Sequence, residues 1–251
     1  MKHLFIGSTV VCVLAAPAMA SEFAFSGAEF RATGYYNSYT TGGVTDDWVA
    51  GTLSGSAQFD FMGGAFAQFD GALQGYDNTA GIYDFGGSLG KHVGYGFAPG
   101  HNVGVFGATD FWHGWPGTYT LGAEIAGQTG DFSYEAYGAF QADLGVFAWY
   151  DFTVYHVDAE AAYQINPDVS VGLGAHYADI SLGGTLWQAK ANLRYDFTDD
   201  LAVEGGYVYT DNSFGGGYTS HGLNLTLTKR IGGGTTFGQR DTTTLFSGLR
   251  F

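Results

Sequence analysis

The sequence predicts an all-β chain that folds as an antiparallel, up-and-down transmembrane β-barrel of about twelve strands. Three observations predict it: an unusual composition, side chains that alternate between apolar and polar, and aromatic residues gathered at the ends of the alternating segments. Glycine supplies 42 of the 251 residues and aromatic residues 17%, whereas charged residues supply only 13%. So few charges in an all-β chain are typical of strands that turn one face to lipid.

Residues 1–20 have the features of a secretory signal peptide. A basic residue precedes an apolar run, and Ala18-Met19-Ala20 has the small residues of a cleavage site. We therefore predict an exported mature chain that begins at residue 21. The single cysteine, Cys12, lies within the signal segment, so the mature chain is expected to fold without disulfide bonds.

Composition also excludes several classes of function. The formal net charge is −15, and an acidic exported chain lacks the basic side chains that contact nucleic-acid phosphates. No mature stretch approaches 18 consecutive apolar residues, so no membrane-spanning helix is expected. The sequence contains no phosphate-binding loop, zinc motif or dinucleotide fingerprint. We expect neither a cofactor nor an enzymatic activity.

The alternation is clearest in residues 185–197. Apolar side chains run from Trp187 through Leu193 to Phe197 at every second position, and polar or charged side chains occupy the positions between them. Because successive strand residues point to opposite faces, the apolar set is expected to face lipid and the polar set the lumen. A soluble β-sandwich would alternate as well. Segments of about ten residues with aromatic ends favour the barrel.

Twelve segments of this kind are present, separated by turns that are alternately short and long. About 19 residues per strand and connection suits a barrel of this size. The predicted strands are 24–36, 48–61, 65–76, 82–95, 102–111, 118–128, 132–141, 153–165, 169–178, 185–197, 201–210 and 221–230. Aromatic residues expected to form girdles are Tyr35, Tyr36, Trp48, Trp112, Trp149 and Tyr150 at one end and Phe59, Phe61, Phe97, Phe132 and Phe197 at the other.

Residues 232–251 leave the strand count open. Gly232-Gly233-Gly234 follows the twelfth segment, and Thr242–Phe251 could form another strand. Bacterial barrels have an even number of strands, so the alternatives are twelve strands with a tail or fourteen strands. The terminal Phe251 favours fourteen. We predict a barrel over residues 21–231 and a C-terminal tail.

These features together resemble the small, porin-like outer-membrane barrels of Gram-negative bacteria. Residues 161–177 (AAYQINPDVSVGLGAHY) and 193–209 (LRYDFTDDLAVEGGYVY) resemble the periplasmic hairpins of that class. The resemblance covers nearly all of the mature chain and implies an outer-membrane location with lipid as a partner. It does not indicate a substrate, a functional residue or an oligomeric state. The class includes open channels, closed anchors, secretion translocators and a few enzymes, and the fold alone does not choose among them.

Charged and histidine side chains on the predicted lumenal faces are the candidate functional residues. The lumen is expected to receive eleven acids and four bases. Such a lining favours cations, and we predict passive diffusion of small hydrophilic solutes or ions with a mild cation preference. The alternative is a closed structural or secretory barrel whose lumen is filled by paired charges. The pore-lining candidates are Arg31, Asp70, Glu124, Glu135, His156, Asp158, Glu160, His176, Lys190, Arg194 and Glu204.

Two short turns predict specific neighbours across adjacent strands. The turn at Thr198–Asp200 places Arg194 opposite Glu204, and the turn at Asn166–Asp168 places Asp158 opposite His176. Each pair falls on the lumenal face. Opposed charges contribute about 0.2–1 kcal/mol each, so the pairs could serve only to stabilise a filled interior.

Enzymatic interpretations are weaker. A metal ion would need His176 to converge with His156, Asp158 and Glu160, a set that alternation along a lumen wall also produces without any function. A hydrolase would need a nucleophile such as Ser181 or Ser220 near His221 and an acid. The prediction is therefore a barrel without a metal site or catalytic residues.

Overall fold

The computed structural model describes residues 23–78, 83–112, 115–143, 153–181 and 183–238. These residues form a closed antiparallel barrel in which each strand pairs with its neighbours in sequence and the first strand pairs with the last. The predicted up-and-down barrel of twelve strands is confirmed. The strands are β1 Ala24–Thr41, β2 Val44–Asp60, β3 Ala65–Asn78, β4 Tyr83–Ala98, β5 His101–Trp112, β6 Trp115–Thr129, β7 Phe132–Asp143, β8 Thr153–Asn166, β9 Val169–Ile180, β10 Thr185–Thr198, β11 Leu201–Asn212 and β12 Tyr218–Gly232.

All twelve predicted segments correspond to strands, but several strands are longer than predicted. The largest difference lies at residues 37–47, where the sequence predicts a long loop and the structure has a β1–β2 hairpin closed by Gly42-Gly43. Both glycines have positive φ, at 55° and 83°, as tight hairpin turns require. The sequence between Asn37 and Asp47 contains three threonines, Tyr39 and Val44, residue types that favour strands, so pairing continues to the turn.

The outer surface of the barrel is apolar, as the alternation predicts. Leucine, valine and aromatic side chains along every strand are exposed, and Leu173 is the most exposed of them at 71%. Polar and charged side chains of the same strands point into the lumen. In β10, for example, Gln188, Lys190 and Asn192 are partly buried between exposed neighbours. An exposed apolar belt on a closed barrel is the surface expected of a protein embedded in lipid. Within the described residues no helix is long and apolar enough to cross a membrane.

Aromatic residues form a girdle at the end of the barrel where the chain enters and leaves. Phe61, Phe97, Phe132 and Phe197 are exposed there, whereas Phe59 is half-buried among stacked rings. That end carries the short turns and both ends of the barrel sequence, so we assign it to the periplasm.

At the opposite, extracellular end the aromatic prediction is only partly correct. Tyr36 is exposed on the outer surface, but Tyr35 and Trp48 line the lumen instead. Tyr35 and Trp48 are each next in sequence to an outward-facing residue, Tyr36 and Val49. Because successive side chains of a strand point to opposite faces, Tyr35 and Trp48 point inward. Trp149, Tyr150 and the side chain of Trp112 lie outside the described residues.

After β12 the chain turns into the barrel. Gly232 and Gly234 adopt positive φ values of 65° and 75°, and residues 233–238 continue into the periplasmic half of the lumen. We call residues 233–238 the arm. The proposed signal segment 1–20 and the possible strand Thr242–Phe251 lie outside the described residues.

Candidate functional site: the barrel lumen

The lumen contains a cavity of about 1050 Å³ on one side of the barrel. Its walls come mainly from β1, β2 and β7 to β12, together with the arm. Gln128 and Gln164 line it near the periplasmic turns, and Trp48 and Tyr218 line it near the extracellular end. The cavity therefore extends along the height of the barrel beside one wall.

Most of the charged side chains that line this cavity lie close to an opposite charge. Glu29 contacts Arg31 at 2.5 Å and Arg230 at 3.2 Å. Arg194 binds Asp196 at 2.9 Å, and Arg230 also approaches Asp196 at 3.9 Å. The charges are arranged as an ion-pair network on β1, β10 and β12, and the guanidinium groups are only partly buried. Such a network leaves the charged groups partly exposed to the cavity.

A second group of charges lies on the opposite wall and is sealed from the cavity. His92 on β4 is fully buried and holds two carboxylates, with Nε2 at 2.7 Å from Asp70 and Nδ1 at 2.7 Å from Glu124. Phe106 stacks on its ring at 5.5 Å. Buried charges of this kind are tolerated because each is paired and hydrogen-bonded. We call the wall from β3 to β6 the packed sector.

Further along the packed sector, polar side chains are joined in the same way. Thr118 donates to Asp110 at 3.0 Å, and Gln141 donates to Thr118 at 3.0 Å. All three residues are buried. This side of the lumen is therefore filled with buried, mostly hydrogen-bonded side chains, although Gln141 Oε1 has no hydrogen-bond partner among the described residues.

A third cluster surrounds Asp158 on β8. His176 on β9 approaches Asp158 at 3.2 Å, and Lys190 on β10 bridges Asp158 at 3.0 Å and Glu160 at 2.7 Å. Gly174 lies between Lys190 and Glu160 in the strand register, and its missing side chain gives the lysine room to cross. Only Lys190 and Glu160 of this cluster reach the cavity.

At the extracellular end, apolar residues turn inward on the same three strands. Val154, Ala178, Ile180 and Leu186 are buried together, and Phe214 from the β11–β12 connection packs against them. The interior beside β8, β9 and β10 is therefore closed at this end. At this end the cavity is lined instead by residues of β11, β12, β1 and β2, such as Thr210, Tyr218, Asn37 and Trp48.

The eleven residues that the sequence proposes as pore-lining divide into two groups. Five of them, Asp70, Glu124, His156, Asp158 and His176, are buried away from the cavity within side-chain packing. The six that line the cavity are Arg31, Glu135, Glu160, Lys190, Arg194 and Glu204. The charge count changes accordingly: the cavity has four bases, and its five acids are Glu29, Glu135, Glu160, Asp196 and Glu204.

The two predicted cross-strand pairs have the predicted register. Arg194 is opposite Glu204, and Asp158 is opposite His176. Only the second pair is in contact. Arg194 instead binds Asp196, two residues along its own strand, and Glu204 accepts a hydrogen bond from Asn192 at 3.2 Å. Side chains at i and i+2 share a face, which provides Arg194 with a second carboxylate that the turn argument overlooked.

The possible catalytic groupings are not assembled. Ser220 is buried inside the barrel, whereas the next residue, His221, is exposed and accepts or donates a hydrogen bond with Tyr207 at 2.6 Å. Ser181 lies at a different strand end and accepts from the Thr153 amide. No group of three or more His, Cys, Asp or Glu side chains in the described part of the chain is placed to hold a metal ion.

Sequence reasoning missed the side chains that bind the arm. Gln58 on β2 and Gln68 on β3 are buried amides that contact residues 236 and 237, and Glu135 on β7 contacts residue 238. The glycine run after β12 was a signal for a sharp turn, but uncharged glutamines on a lumen wall carry no sequence signal of their own.

No protein-family model matches the chain, and no curated protein matches it by sequence. Solved structures match it in fold. The NanC porin is 13% identical with a TM-score of 0.57, covering 78% of this chain and 98% of that chain. An outer-membrane channel from Pseudomonas putida F1 is 12% identical with a TM-score of 0.55, covering 86% and 99%. The chain therefore has the closed β-barrel fold of these outer-membrane proteins.

The same barrel fold also occurs in secretion proteins. The β domain of the Bordetella autotransporter BrkA is 12% identical with a TM-score of 0.53, covering 82% of this chain and all of that domain. Identities this low show a shared fold only. The residues of the lumen, rather than the fold, distinguish these functions.

Proposed function

We propose that this porin-like barrel is an outer-membrane channel for the passive diffusion of small hydrophilic solutes. The observation that carries the proposal is the polar cavity of about 1050 Å³, whose lining extends from Gln128 near the periplasmic turns to Trp48 near the extracellular end. A lumen filled throughout would instead resemble the packed sector, where side chains leave no space. Solute would pass along β11, β12, β1 and β2.

The charge of this lining supports only a small cation preference. The cavity has five acids and four bases, and most of these side chains already bind a partner of opposite sign. Fixed charges raise the local concentration of the opposite ion in proportion to their excess. An excess of one acid therefore favours cations weakly, and the preference should fade as salt shortens the screening length to about 3 Å at 1 M.

Two measurements test the proposal. Purified protein in liposomes should permit swelling in small neutral sugars, because the lining is polar and the passage does not require a charge. In planar bilayers under a KCl gradient, the reversal potential should have the sign of a weakly potassium-preferring pore. A chloride sign would reject the cation preference, and the absence of both swelling and current would reject the channel.

The second candidate is a closed structural or secretory barrel. The packed sector and the arm favour it, because together they fill the lumen beside β3 to β6. A barrel of this kind would conduct no current in its resting state, so the bilayer measurement decides between the two functions.

A further inference from the structure

The arm enters the lumen through a turn that only small residues permit. Gly233 donates its amide to the Ser26 carbonyl at 3.0 Å, which fixes the start of the arm against β1. Gly27 lies directly beside Gly234, and a Cβ on Gly27 would come within 2.6 Å of the Gly234 amide nitrogen. The two backbones therefore touch, and the chain is directed inward rather than along the membrane surface.

Side chains of the barrel wall bind the arm through its backbone. Gln68 donates to the Phe237 carbonyl at 2.8 Å and accepts from the Phe237 amide at 3.1 Å. Gln58 accepts from the Thr236 amide at 2.8 Å, and both carboxylate oxygens of Glu135 lie 3.0 Å from the Gly238 amide. Three consecutive amides are satisfied by side chains, as in the recognition of an extended peptide.

The side chain of Phe237 fills a socket in the packed sector. It is 1% exposed, stacks on His92 at 5.9 Å and packs against Phe66 at 5.5 Å. Gly104 forms the floor, since a Cβ there would lie 2.7 Å from the phenyl ring. A buried aromatic anchor beside hydrogen-bonded backbone is the composition of a binding site with a defined ligand.

We propose that Gln58, Gln68, Glu135 and this socket form a peptide-binding site whose resident ligand is the chain's own arm, and that the bound arm narrows the channel. The arm lines the periplasmic part of the cavity, so its residues occupy cross-section that solute would otherwise use. The narrowing rests on the proposed channel function, whereas the binding of the arm does not. Release of the arm widens the passage.

Hydrogen exchange of the full-length protein tests the binding without any channel measurement. In Gln68→Ala both hydrogen bonds to Phe237 are lost, and amides 236–238 should exchange about tenfold faster or more. Gln164→Ala is the matched control, because Gln164 is a periplasmic glutamine whose side-chain amide donates to its own turn, at Asn166 and Pro167. Unchanged exchange in Gln68→Ala would overturn the binding site.

Single-channel conductance tests the narrowing. Phe237→Ala should raise conductance about 1.5-fold by releasing the arm from the pore wall. Phe106→Ala is the control: it removes an equal ring that also stacks on His92 but belongs to β5, so it enlarges the packed sector without freeing the arm. Each variant is first shown to be folded by its heat-modifiable migration in detergent gels.

The outcomes separate the two claims. Faster exchange in Gln68→Ala, together with higher conductance in Phe237→Ala but not in Phe106→Ala, supports both claims. Faster exchange with unchanged conductance, or an equal rise in Phe106→Ala, overturns the narrowing. Silence of the wild type and of Phe237→Ala rejects the channel and the narrowing together, while the exchange result still decides the binding site.

Discussion

Lys190 shows how single residues of this lumen depend on one another. Its ammonium group reaches Asp158 and Glu160 on β8, two strands away, because Gly174 on the strand between them has no side chain. The facing positions of Asp158 and His176 could be predicted from a turn and the period of a strand. The contact of Lys190 could not, since it depends on a long flexible side chain and on a gap at a third strand.

Replacing this lysine should destabilise the barrel. In Lys190→Met the buried carboxylate of Asp158 keeps only its weak contact with His176, and we expect the free energy of unfolding to fall by about 1–3 kcal/mol. The urea unfolding midpoint in lipid vesicles measures this loss of stability. Lys229→Met is the control, because Lys229 pairs with Asp200 in an exposed periplasmic position, where an ion pair contributes little. Equal midpoints in the two variants would contradict this role.

At the scale of elements, the β1–β2 hairpin is the clearest difference between prediction and structure. Every strand could be located from its alternation, but their extracellular ends could not. Gly42-Gly43 and Asp46-Asp47 give residues 37–47 the composition of a loop, yet Thr40 and Thr45 pair across the hairpin. For the arm, the local turn could be predicted but the location could not. Its glycine run is visible in the sequence, but its location depends on a tertiary socket that forms only when β3 to β7 are assembled.

The hairpin turn offers a test of backbone conformation alone. Gly42 has positive φ and no atom near its missing Cβ, so Gly42→Ala adds strain without a clash. We expect a loss of about 1–2 kcal/mol in the free energy of unfolding. Gly34→Ala on β1 is the matched control: its site is equally open but has no positive φ, and its urea unfolding midpoint should not fall. A loss in Gly34→Ala as large as that in Gly42→Ala would contradict the turn assignment.

At the scale of the whole molecule, the barrel has an apolar outer surface and a lumen with two different walls. Lipid meets an apolar belt, and the lumen is divided into a packed sector and a polar passage. The sequence predicts the belt well because alternation reports which face each residue occupies. It does not predict the division, since acids such as Asp70 and Glu204 look alike in sequence. One is enclosed by His92 and Gln68, and the other faces the cavity.

The outer belt should not tolerate charge. Leu173→Arg places a guanidinium on the lipid face and should cost about 2–4 kcal/mol near the bilayer midplane. Ser54→Arg is the comparison, because Ser54 faces the polar cavity and the added charge remains hydrated there. Unfolding in vesicles measures both variants. A Leu173→Arg barrel as stable as Ser54→Arg would contradict the assignment of faces.

The most direct test of the divided lumen is the access of a thiol reagent to two serines at one level of the barrel. Ser54 and Ser88 both lie opposite Ala72 in neighbouring ladders, but Ser54 lines the cavity and Ser88 is buried in the packed sector. A charged methanethiosulfonate should reduce the bilayer current of Ser54→Cys and leave that of Ser88→Cys unchanged. Block of Ser88→Cys, or a current in Ser54→Cys that the reagent does not alter, would contradict a passage along this wall.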